Sequence, residues 1–184
     1  MNDLSNLMCL DIFLSSLSIE ENKEVARNIT TKSVFPIMSW DFSGNHFSNF
    51  RHHEILKDKN HLRSFSKNYN WQIDLDQTLD KPYDALVLTD ATEAIIWVND
   101  GFKKMTGYES DYAIGRKPNF LQGAKTSKET RWEIKNDLLR KMPFTAVIVN
   151  YRKNKEKYLC EISVIPINNQ HNEITHFISL ERAI

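Results

Sequence analysis

The spacing of apolar residues changes about halfway along the 184-residue chain. Before residue 80 it is helical; from residue 84 most apolar residues fall in short β-rich runs around one clear helix. Leu4, Leu7, Met8, Leu14 and Leu17 keep helical spacing, while Leu10, Ile12 and Phe13 widen the stripe. A helix apolar around most of its girth is normally buried against something. Residues 4–17 therefore read as an oligomerisation or docking helix, with Leu4, Leu7, Met8, Phe13, Leu14 and Leu17 as its contacts, or equally as intramolecular core. Ser18-x-x-Glu21 is a capping box opening a second helix to about residue 28. Phe35-Pro36-Ile37-Met38-Ser39-Trp40 forms an apolar knot, and Ser43-Gly44-Asn45 reads as a turn. Residues 47–69 are a mostly polar helical stretch with Phe50, Leu62, Phe65 and Tyr69 facing inward.

In the second half, residues 84–90 and 94–99 are two β-rich runs joined by a turn at 91–93. Short helical pieces at 100–105 and 109–113 follow, separated by Gly107. Thr126-x-x-Glu129 is a second capping box, opening a helix that Pro143 ends, with Trp132, Leu138 and Leu139 as its apolar contacts. Three long strands come next, at 144–152, 157–167 and 173–182. Two strands, several small helices and three antiparallel strands predict an α+β domain with one open sheet.

Composition narrows the picture without choosing a function. Hydrophobic residues make up 41% and aromatics 11%, as in a globular protein, and 24 basic residues balance 24 acidic ones. That balance gives no reason to expect nucleic acid or an anionic membrane as partner. The apolar stretch near the N-terminus is too short to span a bilayer and lacks the flanks of a signal peptide. Two cysteines, Cys9 and Cys160, rule out a disulfide framework and a cysteine-based zinc motif, so a cytoplasmic, reducing location is expected. His52, His53, Glu54 and His61 do not converge on a metal, because adjacent helical residues point about 100° apart. The basic run 152–157 sits on a predicted turn and reads as solvated. No phosphate-binding glycine loop, nucleophile elbow or HExxH motif is present, and no nucleophile–base pair marks an enzyme.

The segment DALVLTDATEAIIWVNDGFKKMTGYESDYAIGRKPNFLQG, followed by NYRKNK and THFISLERAI, resembles a PAS domain. It is most similar to the light-oxygen-voltage (LOV) subgroup of flavin-binding blue-light sensors. The resemblance covers about residues 82–184, and the arrangement also resembles short stand-alone PAS proteins of bacteria. It implies a five-stranded antiparallel sheet with short helices on one face. Residues 1–80 would then be a helical extension and 81–184 the PAS domain.

The resemblance also locates a pocket. Where the LOV subgroup has an asparagine, the adduct-forming cysteine and a phosphate-binding arginine, this chain has Lys117, Pro118 and Asn119. Proline offers no nucleophile, so the cysteinyl–flavin adduct is excluded at this position. Gln122 and Asn150 match ribityl- and ring-binding positions. Cys160 replaces the second ring-binding asparagine, and Glu181 replaces the glutamine of the last strand. A second phosphate-binding arginine corresponds to Lys135 or Trp132; lysine lacks the bidentate fork of arginine. A haem-binding PAS domain would use a histidine on the helix at 127–141, which has none. Cys160 reads as a redox sensor or, more simply, as a buried small hydrophobe. Lys117 and Glu181 either pair inside the pocket and close it, or separate, with Lys117 in solvent and Glu181 packed beside Arg182.

The expectation is a non-enzymatic regulatory protein with no cofactor, acting through dimerisation or docking of its N-terminal helices. The alternative is a sensor of a small ligand, or of flavin mononucleotide held without a covalent bond, that moves those helices. The chain ends with the last strand at Glu181-Arg182-Ala183-Ile184, so no C-terminal output domain is expected.

Overall fold

The computed structural model describes residues 39–184, with side chains from residue 53 onward. The helix predicted at 18–28 and the contact residues Leu4, Leu7, Met8, Phe13, Leu14 and Leu17 lie outside the described residues. By its contacts the chain divides into two units, Met1–Ser48 and Asn49–Ile184, and the sheet with its packed layers belongs to the second.

Helix α1, Ser39–Tyr69, leads in. It runs straight through Ser43-Gly44-Asn45, where the sequence predicts a turn. A glycine inside a helix costs only about 1 kcal/mol against alanine and does not by itself break one. After α1 comes one turn of helix, α2, Leu75–Thr78, whose N-cap Asp74 accepts from the backbone N–H groups of Asp76 and Gln77. Strands β1, Ala85–Asp90, and β2, Ile95–Val98, follow. Next come α3, Asp100–Thr106, and α4, Ser110–Ala113, with Gly107 in the left-handed conformation ending α3 at φ 76°. A 3-10 turn, Pro118–Leu121, then leads to α5, Lys128–Arg140. Strands β3, Phe144–Tyr151, β4, Lys157–Asn168, and β5, Ile174–Ala183, complete the fold.

All five strands form one antiparallel sheet in the order β2-β1-β5-β4-β3. β1 and β5 pair from Ala85 opposite Glu181 to Asp90 opposite His176. Asp84 closes the end of that ladder. Its backbone N–H donates to the Glu181 carbonyl at 2.8 Å, and its carboxylate accepts from the Ala183 N–H at 2.9 Å.

Alternation along each strand divides the buried residues between two faces. On the outer face, Leu86 and Leu88 of β1, Ile178 and Leu180 of β5 and Ile167 of β4 pack under Leu62 of α1, Trp71, Leu75 and Leu79. Phe65 packs against this layer, whereas Tyr69 is exposed, contrary to its inward prediction. On the inner face, Ala85, Val87, Ile148 and Cys160 meet Phe102, Met105, Ala113 and Leu121 from the short helical segments. Asn99 ties the layers together. Its side-chain oxygen accepts from the N–H groups of Phe102 and Leu86, and its amide donates to buried Asp58 of α1 at 2.8 Å. Burial raises the Asp58 carboxyl above its usual range, opposed by the bonds from Asn99 and Tyr83.

Two local predictions on α5 need correction. The cap is Ser127, whose hydroxyl accepts from the Thr130 N–H, and not Thr126. Thr126 is buried and engaged elsewhere: its hydroxyl donates to the Val149 carbonyl at 2.6 Å and accepts from the Gly123 N–H at 2.9 Å. Trp132 and Leu139 are not core contacts, being 67% and 70% exposed. The face of α5 turned to the sheet carries residues 131, 134, 135 and 138 instead.

Candidate functional site

Those four residues repeat at i, i+3, i+4 and i+7, a single helical stripe. Under it lies a cavity of about 430 Å³ bounded by the inner face of the sheet. Its apolar walls come from Val87, Leu121, Ile134, Leu138, Ile148, Ile162, Val164 and Phe177. No residue of α5 is fully buried; its stripe borders the cavity, and Ile134 also packs against the inner core.

The polar lining is arranged by depth. Asn150 is 5% exposed and Glu181 4% exposed, so both lie deep on the sheet. Gln122, just after the 3-10 turn, is half-buried, whereas Lys117, Asn119, Arg131 and Lys135 stand at the rim. Six of the seven residues expected at the pocket, Lys117, Pro118, Asn119, Gln122, Asn150 and Glu181, do line it. They come together because strand alternation points residues 150 and 181 to one face and the 3-10 turn brings 117–122 across it.

Cys160 is the exception. It is fully buried in the inner core and does not line the cavity. Its Sγ lies 3.9 Å from a carboxylate oxygen of Glu181. Burial, with that carboxyl beside it, pushes the thiol well above its ordinary range, so it stays protonated and unreactive. Cys160 is a small core residue on the same face of β4 as the lining residues Ile162 and Val164, covered by the packed inner core.

The closing ion pair is also absent. Lys117 bonds to Glu93 in the β1–β2 turn, 3.4 Å away and largely in solvent. Glu181 has no cationic partner among the described residues, since neighbouring Arg182 turns to the other face and bonds to Glu161 at 3.0 Å. Desolvation raises the Glu181 carboxyl to about 7. At neutral pH it is therefore divided between carboxylate and acid, and the acid form donates as well as accepts, as a glutamine amide does.

Sequence reasoning missed Arg131 as a lining residue. Its guanidinium donates to the Thr126 carbonyl at 3.2 Å and the Ser127 carbonyl at 3.4 Å, which holds it at the start of α5. The available signal was its i, i+4 relation to Lys135, which puts both on one helical face. Tyr158, opposite Asn150 on the paired strand, is buried, and Arg152 stacks over its ring at 4.6 Å.

A planar, polar-edged ligand fits this lining. Aliphatic walls would face its rings, the Gln122 and Asn150 amides would meet its edge, and Arg131, Lys135 and Lys117 would face an anionic tail. Nothing at position 118 forms a covalent bond to it.

Comparison with known proteins agrees with this fold. The chain is 31% identical over 100 residues to the nitrogen fixation regulatory protein of Klebsiella oxytoca, covering 54% of this chain and 20% of that protein. It is 34% identical over 85 residues to a blue-light-activated histidine kinase of Brucella ovis, covering 46% of this chain and 17% of that one. The match thus spans about a fifth of the length of these curated relatives. Among solved structures, the LOV domain of the Erythrobacter litoralis EL346 blue-light activated histidine kinase superposes with a TM-score of 0.53 at 25% identity. That likeness covers 56% of this chain and 97% of that domain. The dark structure of the Aureochrome1 LOV photoreceptor shares the fold at a TM-score of 0.58 and 23% identity, covering 61% and 84%. The PAS domain family model matches residues 84–182, more than half of the sequence and the whole of the sheet but its last residue, and the chain belongs to that family.

Proposed function

We propose that this chain is a non-enzymatic PAS sensory module that holds a flavin-like ligand without a covalent bond. The observation that supports this most is the roughly 430 Å³ cavity itself, open at its rim. Small-molecule sites span roughly 300–1,000 Å³, with apolar walls and a few placed polar groups. A flavin bound there would supply blue-light absorption and reversible redox chemistry. The chain's own residues would hold its rings between β-sheet and α5, orient its edge through Gln122 and Asn150, and attract a phosphate through Arg131, Lys135 and Lys117. The photoadduct is outside the reading, because Pro118 has no nucleophile.

The path for a signal runs from the pocket through the sheet. Residues 177, 179 and 181 of β5 line the cavity, while 178 and 180 between them pack on the outer layer beneath α1 and α2. A change at Glu181 therefore has one strand's thickness to cross before it meets that layer. Residues 1–80 would act as the relay extension and 81–184 as the sensor.

Absorption and fluorescence of the purified full-length chain, alone and titrated with riboflavin and flavin mononucleotide, test the reading. The expected result is saturable binding that Gln122→Ala and Asn150→Ala each weaken at least tenfold, with the fold intact by circular dichroism. Failure of both flavins to bind would overturn it.

A second reading, association with a second copy of the chain, draws on Val147 and Leu159, which lie 47% and 46% exposed on β3 and β4. Sedimentation of Val147→Asp and Leu159→Asp beside the wild type tests it, and loss of an assembled species is the expected result. A wild type that sediments as a monomer would leave the patch without a self-association role.

A further inference from the structure

Glu181 is a buried carboxyl that lines a ligand cavity and has no cationic partner among the described residues. It is 4% exposed, and it accepts from the Cys160 thiol, a weak donor, at 3.9 Å. Ser179, on the same face of β5, adds a hydroxyl. The groups around it from the other elements do not neutralise it. On β4, Cys160 and Tyr158 are both held protonated by burial. Asp84, before β1, is a further acid and is occupied by the Ala183 N–H. The cations of the cavity are held at its rim: Lys117 by Glu93, and Arg131 by the Thr126 and Ser127 carbonyls, with Lys135 exposed. Among the described residues only the Cys160 thiol and the Ser179 hydroxyl favour the carboxylate form, and both are uncharged.

We propose that ligand binding in this pocket is coupled to uptake of one proton by Glu181. An uncharged occupant closes the cavity side of this carboxyl to solvent and brings no charge to balance a carboxylate. The proton comes from solvent, and the carboxyl then donates a hydrogen bond to an acceptor on the occupant's edge. A flavin ring presents such acceptors in its carbonyl oxygens and unprotonated ring nitrogens. The inference rests on the flavin reading above and adds its regulation: the pocket fills more readily as the surroundings acidify through neutrality.

The direction follows from the carboxyl of the empty pocket, which titrates at about 7. Below that, Glu181 already carries the proton and affinity is at its maximum. Above it, each binding event must first protonate a carboxylate, which costs up to about tenfold in affinity per pH unit until the carboxyl of the filled pocket itself ionises.

Riboflavin is the probe, because it has no phosphate and no group of its own titrating near neutrality. Its dissociation constant is measured by fluorescence from about pH 6 to about pH 9 on the full chain and on Glu181→Gln. The expected result is a weakening of about tenfold or more in the wild type and a flat profile in Glu181→Gln. Calorimetry of the wild type in two buffers of different protonation enthalpy counts the proton directly and does not depend on the variant folding. Binding that is flat with pH, tighter at high pH, or equally pH-dependent in Glu181→Gln overturns the proton coupling and leaves the flavin reading standing. No riboflavin binding by either protein at any pH, with flavin mononucleotide also failing to bind, overturns both.

Discussion

The two faces of one sheet have opposite characters. On the outer face Leu86, Leu88, Ile167, Ile178 and Leu180 are almost completely buried under α1 and the segment behind it. On the inner face the same strands present Thr89, Ser179 and Glu181 to a cavity. Strand β5 shows the contrast within six residues: 176, 178 and 180 point to the packed side, and 177, 179 and 181 to the cavity. Period-two geometry makes the segregation possible, since one residue of displacement moves a side chain from one environment to the other. The contacts of the outer layer are thus physically separate from the candidate site, whereas Val87, Leu121 and Ile148 serve both the inner core and the cavity wall.

Leu88→Ala should break the contrast most severely, because it leaves a void in the dry layer. It is expected to cost about 2–5 kcal/mol in urea unfolding. Ile162→Ala, which only enlarges an existing cavity, should cost clearly less; equal losses would mean that the pocket walls are as tightly packed as the outer layer. Glu181 comes next, through pH. Its folded-state carboxyl, raised from 4.5 to about 7, carries the proton that the unfolded chain releases. Its contribution is therefore fully present below about pH 4.5, declines as pH rises through the folded value, and is constant beyond it, a change on the order of 3 kcal/mol. Glu181→Gln should remove that decline from the stability–pH profile.

Asp58→Ala removes the acceptor for the buried Asn99 amide and should cost about 1–3 kcal/mol, seen as a lower melting temperature. Amide exchange should rise in α1 first, since Asp58 is a tie between that helix and Asn99. Ser127→Ala should cost about 1 kcal/mol by loss of the α5 cap. Lys117→Ala, an exposed rim residue, should stay within about 0.5 kcal/mol of wild type. If it instead destabilised the protein strongly, the rim would be part of the structural half after all.

How legible each feature was depends on how far away its cause lies. The strands and the break at Gly107 follow from local alternation and from one glycine's tolerance of positive φ, so the sequence pattern located them to within a residue or two. The α5 cap did not, because Thr126 and Ser127 are chemically equivalent candidates. The choice is made by the Val149 carbonyl, 23 residues away, which takes the threonine hydroxyl. Trp132 and Leu139 looked like core because apolar residues on a helix usually are, yet a helix over a cavity turns a mixed stripe inward. Of the seven residues to which resemblance pointed, six line the cavity, while Cys160 lies on the same face of β4 but under packed side chains of the inner core. It had no means of pairing Lys117 with Glu93, a contact set by the path of the β1–β2 turn. Arg131 went unnoticed because the resemblance directed attention to positions 132 and 135.

The pairing of β1 with β5 has a mechanical consequence. Residues 84 and 183 leave the sheet at the same end of an antiparallel ladder, joined through the Asp84 carboxylate and the Ala183 N–H. Tension applied through these two points does not shear the ladder; it loads the rungs singly, as a zipper opens from its tab. The Asp84–Ala183 contact parts first and the Ala85–Glu181 rung next. A pull too weak to disturb the dry layer would reach the floor of the cavity before anything else.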